Sequence, residues 1–269
     1  MKQSLHVCAL VWLAAGLSAC AAPDLTKPGS SHLQEPPIVR RNAPPVTVNA
    51  TAALNCSDAP DLNQPQFIIG YGSLMQDESR KRTSPQAGPA QPVEVSGYRR
   101  GWIAQGSPVG LSTTFLGVVE DRQSRINAVI YSVDPGELAA TDRREAQYCR
   151  QSVPAADVAT LGTAGLSISN GQAWIYVSAS ESIATPSARF PIVQSYVDIF
   201  VSGCLEQEQR FSLKDFALQC LQTTDNWSDH WVNDRQYPRR PFIHQPKAGQ
   251  IDAMLARQLP GLFSRIKIE

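Results

Sequence analysis

The chain has 269 residues, with 24 Lys plus Arg balanced by 24 Asp plus Glu and a formal net charge of zero. No charge excess points to a nucleic-acid partner, and the short basic runs Arg80-Lys81-Arg82 and Arg239-Arg240 are expected on solvated faces. Hydrophobic residues make up 42%, enough for a core, and only 4 His argue against a metal site.

The first 19 residues are read as a leader outside the fold. Lys2 gives a positive start, and Val7 to Leu17 is apolar but too short to span a bilayer as a mature helix. Leu17-Ser18-Ala19-Cys20 resembles a bacterial lipobox, in which the peptide is cut before a Cys that is then lipidated. The alternative is an ordinary secretory signal cut after a small residue. Under the lipobox reading Cys20 carries the lipid. Ala21 then implies sorting to the outer membrane, with a soluble domain facing the periplasm. Residues 20–65 follow as a tether rich in Pro, Ser, Thr, Asn and Ala, too poor in apolar area to fold and extended by its prolines. Cys56 is placed to pin it to the domain.

Residues 66–269 suit one α+β domain. Cys56, Cys149, Cys204 and Cys220 allow three pairings, and an exported chain can form them. Phe67-Ile68-Ile69 reads as a buried strand ending at Gly70-Tyr71-Gly72-Ser73-Leu74-Met75. Glycines there permit positive φ or close backbone approach, so the N–H groups of Gly72, Ser73 and Leu74 can face a ligand. A plain tight turn is the alternative. The pattern is neither a G-x-S-x-G elbow nor a Walker loop.

Pro92 to Trp102 reads as a strand whose arginines Arg99 and Arg100 form a basic rim. Leu111–Val119 and Ile126–Val133 read as two more, joined by the polar turn Glu120 to Ser124. Asp134-Pro135-Gly136-Glu137 has the form of a capping box, opening a helix that runs to about Ala146. Leu138, Asp142 and Glu145 share one face of it. If Leu138 points inward, the Glu145 carboxylate must be paired, protonated or functional. Pairing with Arg143, Arg144 or Arg150 is the structural alternative.

Gln172–Ser178 reads as a strand around Trp174 and Tyr176. Two helices follow, with inward stripes through Tyr196, Phe200 and Cys204 and through Phe216 and Cys220. Ser212 is taken as the cap of the second. The two Cys are either buried thiols or a bridge. Trp227 to Pro241 reads either as a clasp, with Asp234 and Arg235 paired locally, or as a wall that selects a leaving group. Ser228, His230 and Asp234 lack the context of a hydrolytic triad.

Three of these stretches together resemble the γ-glutamylcyclotransferase family. They are Tyr71-Gly72-Ser73-Leu74 after its strand, then Asp142-Arg143-Arg144-Glu145 with Tyr148 and Arg150, and the Trp/Asp-Arg tail. Gly97-Tyr98-Arg99-Arg100 also resembles a family segment. The family's Leu before the Asp is Thr141 here, a departure that concerns packing. The resemblance implies a small mixed β-barrel with flanking helices, and release of 5-oxoproline from a γ-glutamyl compound without cofactor. Glu145 maps onto the family's acid/base. Tyr71, Gly72, Ser73, Leu74 and Tyr176 map onto its substrate pocket. A non-catalytic ligand-binding or envelope-associated lipoprotein that keeps the fold is one alternative. A related enzyme acting on another amide is a second.

Overall fold

The computed structural model describes residues 58–106, 112–162, 168, 170–179, 183–240 and 246–269. The expected leader, Cys20 and the tether as far as residue 57, with Cys56, lie outside the described residues.

Strand β1 (Gln66–Gly70) is buried along its whole length, with Ile68 and Ile69 fully enclosed. A continuous apolar run suits such a place, because both faces of the strand are covered. It pairs antiparallel with β3 (Thr113–Val133) and parallel with β6 (Gln172–Ser178). Around it, β2 (Gln91–Gly106), β4 (Tyr148–Val153), β5 (Val158–Thr160) and β8 (Thr224–Asp225) complete a seven-stranded mixed sheet. The order is β4-β6-β1-β3-β2-β5, with β8 against β2. The sheet is a curled half-barrel with flanking helices, so the expected α+β barrel is present in partly closed form.

Residues 113–133 form one strand where two joined by a turn were expected. Ser96 pairs with Arg125 and Tyr98 pairs with Glu120, so residues 121–124 bulge opposite the single residue Gly97. Gly97 has φ of 86°, which only glycine adopts freely. The polar stretch interrupts the ladder without reversing the chain. It can do so because both halves of the strand keep the same partner.

The arginines of β2 do not form a rim. Arg100 is fully buried. Its guanidinium donates to Tyr71 O (3.0 Å), Asn127 O (2.9 Å), Asn127 Oδ1 (2.9 Å), Cys220 O (3.0 Å), Thr223 Oγ1 (2.8 Å) and Thr224 Oγ1 (2.8 Å). It also lies over the Phe200 ring, 4.8 Å from the centroid. Burial lowers its pKa to about 9, still high enough to keep the cation at neutral pH. Arg99 pairs with Asp121 and Asp225. The run 80–82 is likewise not a solvated face throughout. Arg80, in the short helix α1 (Asp77–Lys81), is 1% exposed, pairs with Asp77 and covers the Tyr131 ring.

Helix α2 (Pro135–Arg144) opens with the expected capping box, both of whose hydrogen bonds form. It ends at Arg144, earlier than Ala146, and Glu145 is its C-cap with non-helical backbone. Thr141 is fully buried and bonds to Glu137 O and Ser84 Oγ, a packing role for the residue that departs from the family pattern.

Helix α3 (Gln194–Phe211) is preceded by β7 (Ile192–Val193) and packs on the turn that follows β1. At Gly203 a Cβ would stand 2.6 Å from Gln76 N and 2.7 Å from Met75 C. Only a glycine lets the helix approach this closely. Ser212 is the left-handed C-cap of α3 and not the N-cap of α4 (Phe216–Gln222); Asp215, at φ 60°, takes that place. Cys204 and Cys220 form a disulfide between the two helices, and Cys149 is also disulfide-bonded.

The C-terminal region adds β9 (Trp231–Asn233), α5 (Ala248–Gln258), α6 (Pro260–Phe263) and β10 (Lys267–Ile268). The strands β10-β9-β7 make a second sheet. Trp227 stacks on Trp231 and meets Trp102 edge-on, filling a hydrophobic seam. Asp234 and Arg235 do not pair with each other. Asp234 accepts from the Ser195 N–H (2.7 Å), the Ser195 hydroxyl (2.6 Å) and the Arg239 N–H (2.8 Å). Arg235 bridges Asp198 and Asp252, tying α3 to α5. The segment is a clasp, held to the first turns of α3.

Candidate active site

The strand β1, the end of α2 and the start of α3 bring their polar residues to one cleft. Its inner pocket has a volume of about 20 Å³ and is lined by Tyr71, Gly72, Ser73, Leu74, Glu145, Tyr148, Tyr176 and Tyr196, among others. Its outer cavity measures about 590 Å³ and shares Ser73, Glu145, Tyr148 and Tyr196 with the inner one. Phe115, Gln147, Arg82, Arg144 and Arg240 also line the outer part. The outer volume lies in the range of small-ligand sites, whereas the inner one is close to the space of a single water.

All six residues expected from the sequence at the pocket line this inner space. Their contacts differ. The Tyr71 hydroxyl donates to Tyr176 O (2.5 Å) and the Tyr176 hydroxyl to Asp142 Oδ1 (2.8 Å). Both phenols are therefore committed to the frame, and Asp142 is held on its other oxygen by Arg150 (2.7 Å). Gly72 has φ of −127°, so its need is close approach, not positive φ. A Cβ there would lie 2.9 Å from the Tyr196 hydroxyl. That hydroxyl in turn receives hydrogen bonds from Ser73, which offset part of its upward pKa shift from burial. Ser73 leads a 3-10 turn, Ser73–Met75, closed by the Met75 N–H on Gly72 O (3.0 Å).

Glu145 sits where α2 turns into β4. Its N–H caps the helix on Thr141 O, and its own carbonyl accepts from Tyr148 N–H (2.8 Å). The helix therefore sets where the backbone is, but the cap geometry, not helical periodicity, sets where the side chain points. Only 15% of that side chain is exposed. Burial pushes the Glu145 carboxyl above its ordinary pKa of 4.5, and the neighbouring Arg144 pulls it back in part. Arg144 Nε is 3.2 Å from Glu145 Oε1, which is one of the ion pairs expected from the sequence. The same guanidinium donates to Ser73 Oγ, Ser79 O, Ser79 Oγ and Thr83 Oγ1. Arg144 thus ties the carboxylate to the Ser73 side of the cleft with every nitrogen engaged.

Sequence reasoning missed Tyr196 and Arg240. Tyr196 was legible only as a member of an apolar stripe, although a buried Tyr needs a partner for its hydroxyl. Arg240 was expected on a solvated face. Instead it lies over the Phe115 ring, 4.2 Å from the centroid, and lines the outer cavity. Its Nε and Nη2 are buried and have no hydrogen-bond partner among the described residues. Burial lowers its pKa from the ordinary arginine value. Its neighbour Arg239 pairs with Glu269 and donates to Ser112 O. Ser228, His230 and Asp234 do not assemble: the Ser228 hydroxyl accepts from the His230 N–H, while Asp234 is buried against Ser195.

Residues 68–193 match the family model "Gamma-glutamyl cyclotransferase, AIG2-like". This match supports membership of the γ-glutamylcyclotransferase-like superfamily, a family of cyclotransferase-like enzymes. No curated protein matches the sequence. Among solved structures, one described as a γ-glutamyl cyclotransferase is 13% identical, with a TM-score of 0.46. The match covers 61% of this chain and 92% of that one. A human protein described as uncharacterized is 13% identical, with a TM-score of 0.44 and the same coverages of 61% and 92%. A yeast γ-glutamyl cyclotransferase specific to glutathione is 11% identical, with a TM-score of 0.38, over 60% of this chain and 96% of that one. The family match ends at Val193, before Tyr196 and Arg240.

Proposed function

We propose that the chain is a γ-glutamylcyclotransferase-type enzyme that releases 5-oxoproline from a γ-glutamyl amide or peptide, with Glu145 as general acid/base. The observation that carries this reading is the placement of the mostly buried Glu145 carboxylate in one inner pocket with Tyr71, Gly72, Ser73 and Leu74.

The chemistry needs little else. The substrate's α-amine attacks its own γ-carbonyl carbon, a C–N bond forms to close the five-membered ring, and the amide C–N bond to the leaving amine breaks. Because the attack is intramolecular, the protein contributes chiefly by folding the substrate into reactive geometry. Glu145 takes the proton that the α-amine must lose and returns it to the departing amine, so it ends as it began. Its raised pKa makes it a better base than an exposed carboxylate. The backbone of the 72–74 turn binds the substrate carboxylate or the developing oxyanion. Ser73 is no nucleophile in this scheme, since its hydroxyl is held by Arg144.

The full chain incubated with γ-glutamyl dipeptides and with glutathione should yield 5-oxoproline, followed chromatographically. No product from any of them would overturn the enzymatic reading, and stabilisation by those ligands without product would favour a binding protein. We also propose a bacterial-envelope location, with lipid on Cys20 and the domain in the periplasm. Disulfides at Cys204–Cys220 and at Cys149 support an oxidising compartment. Palmitate labelling should be lost in Cys20→Ala; undiminished labelling in that variant would contradict the anchor.

A further inference from the structure

We propose that Arg240 is a specificity-determining residue that binds a carboxylate on the leaving-group half of the substrate. This rests on the cyclotransferase reading above and narrows its substrate class to γ-glutamyl conjugates of amines that themselves bear a carboxylate.

Three observations carry it. The first is the state of the guanidinium. Nε and Nη2 are buried and unpartnered among the described residues, and the guanidinium lies over the Phe115 ring. A cation withdrawn from water without an acceptor is costly, and an anionic ligand would offset that cost. The nearby Asp234 does not supply the missing acceptor. Its oxygens are taken by Ser195 and by the Arg239 N–H.

The second is position along the cleft. Arg240 lines the outer cavity and not the inner pocket, whereas the 71–74 turn lines the inner pocket. A substrate whose γ-glutamyl end reaches that turn and Glu145 leaves its other end in the outer cavity. Arg240 therefore meets the leaving group and not the glutamyl carboxylate.

The third is that the other guanidinium beside Glu145 is spent. Arg144 has all its nitrogens engaged by Ser73, Ser79, Thr83 and Glu145. The clasp that delivers Arg240 is rigidly tied: its own N–H donates to Ser195 Oγ (3.3 Å), and Asp234 holds that same serine. The cation is thus set in place before any ligand arrives, which lowers the ordering cost of binding.

The test compares γ-glutamyl-alanine with its C-terminal amide, in the wild-type chain and in Arg240→Met, by kcat/KM for 5-oxoproline. The wild type should prefer the carboxylate by about tenfold or more, as expected for a charge-assisted pair, with the difference mainly in KM. Arg240→Met should reduce the ratio to within about twofold, and Arg240→Lys should restore part of it. A ratio near one in the wild type, or an unchanged ratio in Arg240→Met, overturns the proposal. Should the variants fail to fold, the wild-type ratio decides alone. If neither compound is turned over, the catalytic reading fails separately. Calorimetry on the same pair then decides: tighter binding of the carboxylate that disappears in Arg240→Met supports the subsite, and equal or absent binding overturns it.

Discussion

Arg100, on β2, and Arg240, in the C-terminal clasp, are two arginines that the molecule treats in opposite ways. Arg100 lies behind Tyr71, fully enclosed, and donates to six acceptors on Tyr71, β3, α4 and the residues after α4. Arg240 lies across the outer cavity with two nitrogens buried and no acceptor among the described residues. A saturated cation fixes the frame; an unsaturated one is the group to which the proposal above assigns a ligand carboxylate. The contrast also separates the sheet, which positions the turn at Tyr71, from the C-terminal clasp, which completes the outer wall.

The comparison can be broken most directly at Arg100. Arg100→Met removes the donors of buried carbonyls and of Asn127, and should cost about 3–5 kcal/mol in denaturant unfolding. A loss under about 1 kcal/mol would show that the frame does not depend on it. The next effect concerns the Cys204–Cys220 bridge, whose ends are 16 residues apart. Replacing both Cys by Ala should lower stability by roughly 2–4 kcal/mol by the same measurement.

Gly203→Ala should cost about 1–3 kcal/mol, because the new methyl meets the Met75–Gln76 backbone and something must shift. The same variant should slow 5-oxoproline formation, since that backbone continues the turn bearing Ser73 and Leu74. Stability without loss of rate would mean the turn is indifferent to α3. The smallest effect is at Arg240. Arg240→Met should leave unfolding free energy within about 0.5 kcal/mol, or raise it slightly, while altering substrate preference. A large destabilisation would place Arg240 with Arg100 as a structural group.

Much of this was legible in the sequence because it is local. The buried run Phe67–Ile69, the Asp134–Glu137 capping box and the apolar stripes of α3 and α4 follow from periodicity and capping alone. The pocket residues were reached by resemblance, and helix α2 put Glu145 near the cleft even though its final turn is a cap. What was not legible depends on distant partners. Arg100 reads as an edge cation until β8 and α4 cover it. Residues 120–124 read as a turn until β2 is seen to pair with both halves of β3. The position of Arg240 depends on Asp234 reaching Ser195, which is 39 residues away in sequence.

Glu145 also links the site to pH. Its folded-state pKa is raised, so folding favours the protonated form. That contribution is complete below the unfolded value and disappears as pH rises through the folded one. Catalysis asks the reverse, because a base must be deprotonated. The most direct test is the pH dependence of kcat/KM for 5-oxoproline release from a γ-glutamyl dipeptide, in the wild type and in Glu145→Gln. The wild-type rate should rise with pH through an apparent pKa above 4.5. Glu145→Gln should lose about 10²–10⁴-fold and that limb with it. A Glu145→Gln protein with full activity and an unchanged profile would contradict the assignment of the base.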